Sequence, residues 1–216
     1  MNKKISIVTP TFNEEANISR LCDEISKEMQ GFSYDYEHII IDNYSTDKTV
    51  SIIKEIARMD KRVKIILNSR NFGHIRSSQY GLLQSSGDAT ILLSSDFQEP
   101  TNLIGKDLKE WENGHKIILG QRASTDSNQS MNFIKSVFYK FMNMISEMPL
   151  IERSGSTGLL SKEIVDHLRV IGDLIHTLED YCLKYHLILR QFNIIKLREW
   201  EVKQKIIFIH YTTWQF

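Results

Sequence analysis

Cysteine is scarce in this sequence, and the two residues present are placed for packing. Cys22 and Cys182 both fall within apolar helical patterns of the 216-residue chain. A buried free thiol behaves as a small hydrophobic group, and disulfides are rare in reducing compartments. Reduced, buried thiols are therefore favoured over a disulfide, and we expect a cytoplasmic protein.

An excess of one charge sign is also missing. Lys plus Arg and Asp plus Glu total 27 each, so the formal net charge is zero. A general nucleic-acid binder needs a basic field, and this composition argues against one. No nucleic-acid partner is expected.

Long hydrophobic runs and linker-like segments are lacking as well. No stretch of about 18 apolar residues occurs, and no apolar h-region follows Met1–Lys4, so we expect neither a membrane-spanning helix nor a signal peptide in the chain as given. No Pro- or Gly-rich linker divides the chain, which favours one domain. No Gly-x-Gly-x-x-Gly follows the first strand pattern, which argues against a dinucleotide oxidoreductase.

Three apolar runs of β type are present, and each ends abruptly in acidic or small polar residues. They cover residues 5–15, 38–43 and 89–100. Buried parallel strands have continuous Val, Ile and Leu runs, and open α/β sheets bind ligands at the carboxyl ends of their strands. With 41% hydrophobic residues to build a core, the fold should bring the three strand ends to one crevice. We place the function in that crevice.

Helical patterns alternate with the strands. Apolar residues spaced three or four apart predict an amphipathic helix at Ile18, Leu21, Cys22, Ile25 and Met29. A second helix is predicted at Val50, Ile53, Ile56 and Ala57, with Ser45 or Asp47 as its N-cap. Further strands are expected at 63–67 and 116–120, and further helices at 80–84, 103–111 and 133–145. This order predicts an α/β fold with a mostly parallel sheet and helices on both faces.

The segment Ser94–Pro100 carries the sharpest chemical signal. Asp96 and Gln98 lie two residues apart just past a strand end, so their side-chain oxygens can point the same way. Such oxygens suit Mg²⁺ or Mn²⁺, which take their remaining ligands from water and substrate phosphates. The alternative is that both residues merely cap the helix that starts near Thr101.

Two other strand ends carry candidate ligand-binding residues. Asp42 and Asn43 suit hydrogen bonding to a base or a ribose, and an Asx turn that closes the strand is the alternative. In the loop after the third strand, Gly73 lets the backbone approach a ligand. Arg70 in that loop can hold a phosphate with its planar fork, although a lone arginine is more often a surface residue.

Five segments, taken in order, carry a resemblance to a known family. They are Pro10–Glu15, Ile41–Asp47, Ser69–His74, Ser94–Pro100 and Gly120–Arg122. The order resembles the family 2 glycosyltransferases, in particular the dolichol-phosphate-mannose-synthase-like enzymes and the bacterial polyprenyl-phosphate sugar transferases. The resemblance runs from Ile5 to Arg122 and continues weakly through Ser154–Leu160. Five ordered motifs are far more specific than any one of them.

The resemblance implies a GT-A fold and inverting transfer of a sugar from a UDP- or GDP-sugar to polyprenyl phosphate or a growing cell-surface glycan. It assigns nucleotide binding to Pro10, Thr11, Asn13, Glu14 and Asp42. Asn43, Arg70 and Arg122 are further candidates for binding the nucleotide. The resemblance assigns Mg²⁺ or Mn²⁺ to Asp96, which is then also catalytic, and to Gln98. Peripheral contact with the inner face of a membrane and a homo-oligomer are compatible with it.

The metal site and the catalytic base are the two parts of this assignment for which the sequence leaves an alternative. The resemblance aligns Ser94 with an aspartate of the family motif, and this change should weaken the affinity for the metal. The rival interpretation is therefore a protein that binds the nucleotide but does not catalyse transfer. Glu179 and Asp180 are the candidate catalytic base for a sugar hydroxyl, because family members use an acidic pair in this half of the chain. A lipid phosphate is already anionic and needs no strong base, and exposed acidic pairs are usually only solvated.

The end of the chain departs from the family pattern. We interpret residues 1–199 as the GT-A domain and residues 200–216 as an atypical tail. A back-translation of Trp200–Phe216, read from its third base, gives Gly-Ser-Lys-Thr-Lys-Asn-Asn-Phe-Tyr, which resembles the segment that precedes the membrane helices of relatives. We therefore hypothesise a frameshift near Arg198–Trp200, which should leave nucleotide binding intact and sugar transfer poor. A natural short variant with a strand at Ile206–Phe208 is the alternative, and the downstream DNA sequence distinguishes the two.

Overall fold

A computed structural model of the chain describes residues 3–122, 154–171 and 195–200. Its strands are β1 Lys4–Thr11, β2 Asp35–Asp42, β3 Val63–Leu67, β4 Ala89–Leu92, β5 Ile117–Arg122, β6 Ser154–Ser161 and β7 Ile195–Trp200. Its helices are α1 Ile18–Gln30, α2 Thr49–Met59, α3 His74–Leu83, α4 Leu103–Glu112 and α5 Lys162–Ile171. None of these helices, within the described ranges, is long and apolar enough to cross a membrane.

The strands form one mixed sheet in the order β3-β2-β1-β4-β6-β5-β7. The pairs β1–β2, β2–β3, β1–β4 and β5–β7 are parallel, and β6 runs antiparallel to both β4 and β5. The chain builds outward from β1 to β2 and β3, and then returns to β4 on the other side of β1. A ligand crevice is expected at such a reversal, outside the carboxyl ends of the strands.

Both faces of the sheet are covered, as the sequence predicts. One hydrophobic cluster packs α1, α2 and α4 against the sheet, and a second packs α3 and α5. Successive strand residues point to opposite faces, so Ile7 belongs to the first cluster and Val8 to the second. Burial on both faces explains why the strands are apolar runs rather than alternating patterns.

Helix α3 begins earlier than its sequence pattern predicts. The expected helix starts at Tyr80, whereas the structure has α3 from His74 to Leu83. The buried positions of its first turns are Ser77 and Ser78, which carry no apolar signal. Small residues are needed there because α3 lies close to β1: a Cβ added at Gly81 would be 2.7 Å from Val8 Cγ1.

The predicted N-cap of α2 is wrong. The residue at that position is Lys48, and it makes no capping side-chain hydrogen bond. Asp47 precedes this N-cap residue, and its Oδ1 accepts the backbone N–H of Thr49 at 2.9 Å. Ser45 Oγ accepts the backbone N–H of Asn13. Both side chains are engaged in loop contacts. The helix predicted at 133–145 lies outside the described residues.

A buried carboxylate ties three strands together toward their amino ends. Glu37 of β2 accepts hydrogen bonds from Lys4 Nζ at 2.8 Å and from Ser6 Oγ at 2.6 Å, and it also bonds Lys64 of β3. Burial alone would raise the pKa of this carboxyl, but the hydrogen bonds from Lys4, Lys64 and Ser6 hold its pKa well below the usual range. The cluster stabilises the edge of the sheet away from the crevice.

Stability should fall on mild acidification because of one buried histidine. His38 is 1% exposed, its Nε2 lies 2.9 Å from Thr9 Oγ1, and burial lowers its pKa from 6.5 to about 4. The unfolded chain therefore binds a proton between these values that the folded chain does not, and stability is lost as pH falls. We expect a loss of about 1.5 kcal/mol between about pH 6.5 and 5.

Urea unfolding at both pH values checks this expectation, with His38→Gln as the matched variant, since its amide can still bond Thr9. The variant should show a smaller change in the free energy of unfolding than the wild type. Equal changes in the two proteins would assign the pH dependence to other groups.

Candidate functional site

The carboxyl ends of β1, β2 and β4 open onto a cleft of about 340 Å³. Its lining includes five residues that the sequence singled out, Pro10, Thr11, Glu14, Asn43 and Asp96. The sheet brings them together because β1 lies between β2 and β4. The expected convergence of strand ends is confirmed at this cleft.

Two buried polar side chains, those of Thr11 and Asp42, lie where β1 and β2 end, and of the two Thr11 is the one that lines the cleft. Thr11 is 3% exposed and Asp42 is 2% exposed, and the two residues are register partners, so their side chains point to the same face. Asp42 Oδ2 accepts the backbone N–H groups of Tyr44 and Ser45 at 3.1 and 3.0 Å, which is the predicted Asx turn. Thr11 Oγ1 and Asp42 Oδ1 have no hydrogen-bond partner among the described residues. Leaving such atoms unsatisfied would cost about 1–3 kcal/mol each, so a bound ligand or water is expected to satisfy them.

The loops after β1 and β2 hold each other in place. Asn13 Oδ1 accepts the backbone N–H of Thr46 at 2.8 Å, and Ser45 Oγ accepts the N–H of Asn13 at 2.8 Å. Thr49 Oγ1 accepts the N–H of Glu14 at 2.8 Å. Asn13, a predicted nucleotide ligand, therefore lies outside the lining and shapes the loop that carries Glu14.

Left-handed backbone conformations occur after all three strand ends. The non-glycine residues with positive φ in the described part of the chain are Asn13 at 55°, Tyr44 at 72° and Phe97 at 55°. Such conformations are uncommon outside glycine and cluster at functional sites, since the surrounding structure must hold them. Here they turn the chain sharply after β1, β2 and β4.

The Asp96 segment lies against the end of β1. Ser95 Oγ donates to the carbonyl of Pro10 at 3.1 Å, and Asp96 Oδ1 accepts the backbone N–H of Gln98 at 3.1 Å. Gln98, the other predicted metal ligand, is exposed and is not part of the cleft lining. The alternative that Asp96 and Gln98 cap the next helix is wrong, because the N-cap of α4 is Asn102.

Two carboxylates face this cleft within electrostatic reach of each other. Burial raises the pKa of Glu14, a hydrogen bond from Asn17 opposes that rise, and the charges of Asp96 and Asp47 add to it. The described residues include no group of three or more His, Cys, Asp or Glu side chains arranged to hold a metal ion. Glu14 and Asp96 supply hard oxygen donors of the kind that Mg²⁺ and Mn²⁺ bind, and such a cation can take further ligands from phosphate and water.

Other predicted residues lie away from the cleft lining or beyond the described residues. Arg70 is exposed, with its guanidinium 4.7 Å from the centre of the Phe72 ring. Arg122 ends β5, and its side chain is not described. Glu179 and Asp180 fall outside the described residues, so their expected role as base stays a prediction.

Sequence reasoning missed four residues of the lining: Phe12, Asn71, Ser77 and Ser95. Ser77 was hidden by the late start assigned to α3. Asn71 lies in the loop of the predicted phosphate ligand Arg70, and an asparagine in a loop is more often a turn residue. Gly73, with φ of +85°, and His74 complete this wall at the start of α3.

Similarity to known sequences extends over most of the chain. The model of the family "Glycosyl transferase family 2" matches residues 6–169. The bactoprenol glucosyl transferase of Shigella phage SfV is 33% identical over 172 residues, covering 79% of this chain and 56% of that protein. CsbB of Bacillus subtilis (strain 168) is 34% identical over 169 residues, covering 78% of this chain and 51% of CsbB. The chain thus spans about half the length of these curated relatives.

Solved structures share the arrangement of strands and helices. S. aureus TarS 1-349 in complex with UDP-GlcNAc gives a TM-score of 0.57 at 18% identity, covering 94% of this chain and 59% of that one. The mannosyltransferase PcManGT from Pyrobaculum calidifontis, in complex with GDP-Man and Mn²⁺, gives 0.57 at 13% identity, covering 92% and 57%. At these identities the similarity concerns the fold, and the expected GT-A fold is confirmed.

Proposed function

The chain belongs to glycosyl transferase family 2, and from this premise we propose that it transfers a sugar, with inversion, from a nucleotide-diphosphate sugar to polyprenyl phosphate. The observation that carries the proposal is a pair of unpartnered buried atoms, Thr11 Oγ1 in the cleft lining and Asp42 Oδ1 on its register partner at the end of β2. A donor nucleotide bound there would satisfy both atoms. We also propose that residues 1–199 form the GT-A domain and residues 200–216 a tail, with Trp200 as the last residue of β7 still paired in the sheet.

The nucleotide is proposed to lie across the ends of β1 and β2. Asp42 Oδ1 can accept a base N–H, and the Thr11 hydroxyl can donate to a neighbouring carbonyl of the same base. Pro10 and Glu14 would line the path toward the sugar, in a loop that Asn13 holds. Solved relatives with the same fold hold UDP-GlcNAc or GDP-Man, which supports a UDP- or GDP-sugar donor.

The donor diphosphate is proposed to lie beside Asp96, with Mg²⁺ or Mn²⁺ bound by Asp96 and Gln98. The cation would neutralise negative charge that develops on the leaving nucleotide diphosphate. Ser94 cannot contribute a carboxylate, so the cation depends more on phosphate oxygens here than it would beside a second aspartate. Arg70 and Arg122 are proposed to donate hydrogen bonds to the diphosphate of the sugar donor, and to reach the site when that substrate is bound.

The acceptor is proposed to be a lipid phosphate. A relative named as a bactoprenol glucosyl transferase supports this choice. An anionic phosphate oxygen can attack the sugar carbon without a base, so the reaction would not depend on Glu179 and Asp180. A glycan hydroxyl is the second candidate acceptor, and it would need one of those carboxylates to take its proton. A lipid acceptor places the protein at the inner face of a membrane.

Transfer assays test the proposal directly. The protein is incubated with labelled UDP- and GDP-sugars, MnCl₂ and vesicles that contain polyprenyl phosphate, and the extracted lipid is counted. Labelled lipid is expected, and a low yield is the result that the hypothesised frameshift near Arg198–Trp200 predicts. Nucleotide binding without lipid labelling, and without labelling of a glycan acceptor, would favour the rival interpretation of a silent nucleotide-binding protein.

Replacing Asp42 with asparagine should weaken UDP binding about 10–100-fold, the cost of losing a charged hydrogen bond. The amide oxygen can keep the turn contacts to Tyr44 and Ser45, which places an NH₂ donor where the unpartnered oxygen lies. A donor would then face the N–H of the base. Calorimetry with UDP measures the loss, and Asp23→Asn, on the exposed side of α1, is the matched control. Unchanged affinity in Asp42→Asn would remove Asp42 from the nucleotide site.

A further inference from the structure

Asn43 uses most of its hydrogen-bonding capacity within the protein. The residue is 5% exposed, and its backbone N–H donates to the carbonyl of Thr11 at 2.9 Å. Its side-chain Nδ2 donates to Asn71 Oδ1 at 2.7 Å. Its Oδ1 accepts the backbone N–H of Phe72 at 2.9 Å and Nδ2 of Asn68 at 3.2 Å. One side chain at the end of β2 thus holds three residues of the β3–α3 loop.

The orientation of both central amides is determined by backbone donors. The N–H of Phe72 requires an oxygen from Asn43, and the N–H of Gly73 requires an oxygen from Asn71, which it meets at 2.8 Å. Turning either amide over would place two donors against each other. Asn43 must therefore be the donor in its bond to Asn71.

The bonds from Asn43 extend to the wall of the cleft. Asn68 Nδ2 also donates to Ser77 Oγ at 3.0 Å, and Ser77 lies 1% exposed in α3 and lines the cleft. Asn71 accepts the N–H of Gly73, the residue with φ of +85° at the start of α3. Two routes therefore connect the end of β2 to the start of α3.

We propose that Asn43 is a positioning residue that holds residues 68–74 as the wall of the nucleotide cleft, rather than a ligand that recognises the base. The proposal rests on the proposed function for its ligand, since the wall faces the same cleft as Asp96 and Thr11. According to this proposal, Asp42 contacts the base of the nucleotide, and Asn43 holds the wall of the cleft in position. The backbone bond between Asn43 and Thr11 joins the two parts.

Hydrogen exchange of the backbone amides of Phe72 and Gly73 reports the wall directly, and calorimetry with UDP and MnCl₂ reports its consequence. In Asn43→Ala both amides should lose protection, and UDP affinity should fall at least 10-fold. Asn43→Asp keeps an acceptor for Phe72 but presents an oxygen to Asn71, so Gly73 should lose more protection than Phe72. Its UDP affinity should fall about 3–10-fold, corresponding to the loss of one hydrogen bond. Asn113→Ala, an exposed asparagine at the end of α4, is the matched control.

Saturating UDP should restore part of the lost protection in Asn43→Asp, because a ligand that binds the ordered wall must also stabilise it. A purely structural residue would show no such restoration. Lost affinity with unchanged exchange at Phe72 and Gly73 would make Asn43 a direct ligand and overturn the proposal. The proposal would also be overturned if both Asn43 variants matched the wild type in amide exchange and in UDP affinity. Failure of the wild type to bind UDP would instead count against the proposed function, and the exchange of the apo proteins would still decide whether Asn43 holds the wall.

Discussion

Asp96→Asn is expected to abolish the cation-dependent part of nucleotide binding, lowering UDP affinity in MnCl₂ about 100-fold while leaving metal-free binding nearly unchanged. Asp96 is the carboxylate of the Ser94–Pro100 segment that lines the cleft, and Ser94, two residues before it, supplies a hydroxyl and no carboxylate. A neutral amide oxygen binds Mg²⁺ or Mn²⁺ far more weakly than a carboxylate does. Because Ser94 offers no carboxylate that could compensate, the loss should be close to complete.

Calorimetry of UDP with and without MnCl₂ measures this effect, and Asp35→Asn, exposed at the amino end of β2, serves as the control. Ser94→Asp should shift affinity the opposite way, strengthening Mn²⁺-dependent binding about tenfold by adding a charge next to Asp96. An Asp96→Asn protein that keeps its full Mn²⁺ dependence would show that another group holds the cation. A Ser94→Asp protein with lower affinity would mean that this cleft is shaped differently from that of relatives.

Gly158→Ala should prevent folding or cost more than about 4 kcal/mol of stability, which single substitutions seldom reach. Gly158 lies in β6, the antiparallel strand between β4 and β5. A Cβ added there would lie 2.1 Å from the backbone carbonyl oxygen of Ile118. That oxygen belongs to a buried central strand and cannot move without displacing β5, so a rotamer change brings no relief.

Soluble yield and urea unfolding measure the effect. Gly31→Ala is the matched control, because Gly31 ends α1 with an ordinary φ of −73°, and its added Cβ would lie 3.3 Å from a carbonyl oxygen. The control should stay within about 1 kcal/mol of the wild type. A Gly158→Ala protein that unfolds at the wild-type urea concentration would show that β6 can shift outward.

The position of the site was predictable from sequence because it depends on how strands end. The runs that become β1, β2 and β4 are rich in buried Ile, Val and Leu and change to polar residues at Thr11, Asp42 and Ser94. Continuous apolar runs predict parallel strands, and parallel strands align their carboxyl ends. Helix α1 was equally accessible, since Ile18, Leu21 and Ile25 repeat with helical spacing and are all buried.

The roles of individual residues in the site were less accessible. Asp42 and Asn43 are neighbours, and sequence alone assigned both to the nucleotide. In the structure Asp42 keeps one buried oxygen without a partner, whereas Asn43 bonds a loop that lies 25–29 residues further along the chain. Similarly, Asn13 supports the loop after β2 instead of lining the cleft.

The sequence by itself determined the alternation of strands and helices, the parallel core and the edge of the sheet where ligands bind, because hydrophobic periodicity and strand ends are local properties. Only the tertiary structure decided the antiparallel insertion of β6, the start of α3 and the different roles of Asp42, which keeps an unpartnered oxygen, and Asn43, which bonds the β3–α3 loop. Each of these depends on which distant segment comes close: β5 against Gly158, β1 against Gly81, and the β3–α3 loop against Asn43. Where two segments approach closely, small residues are favoured and polar side chains form hydrogen bonds across the contact. Neither effect leaves a periodic pattern in the sequence.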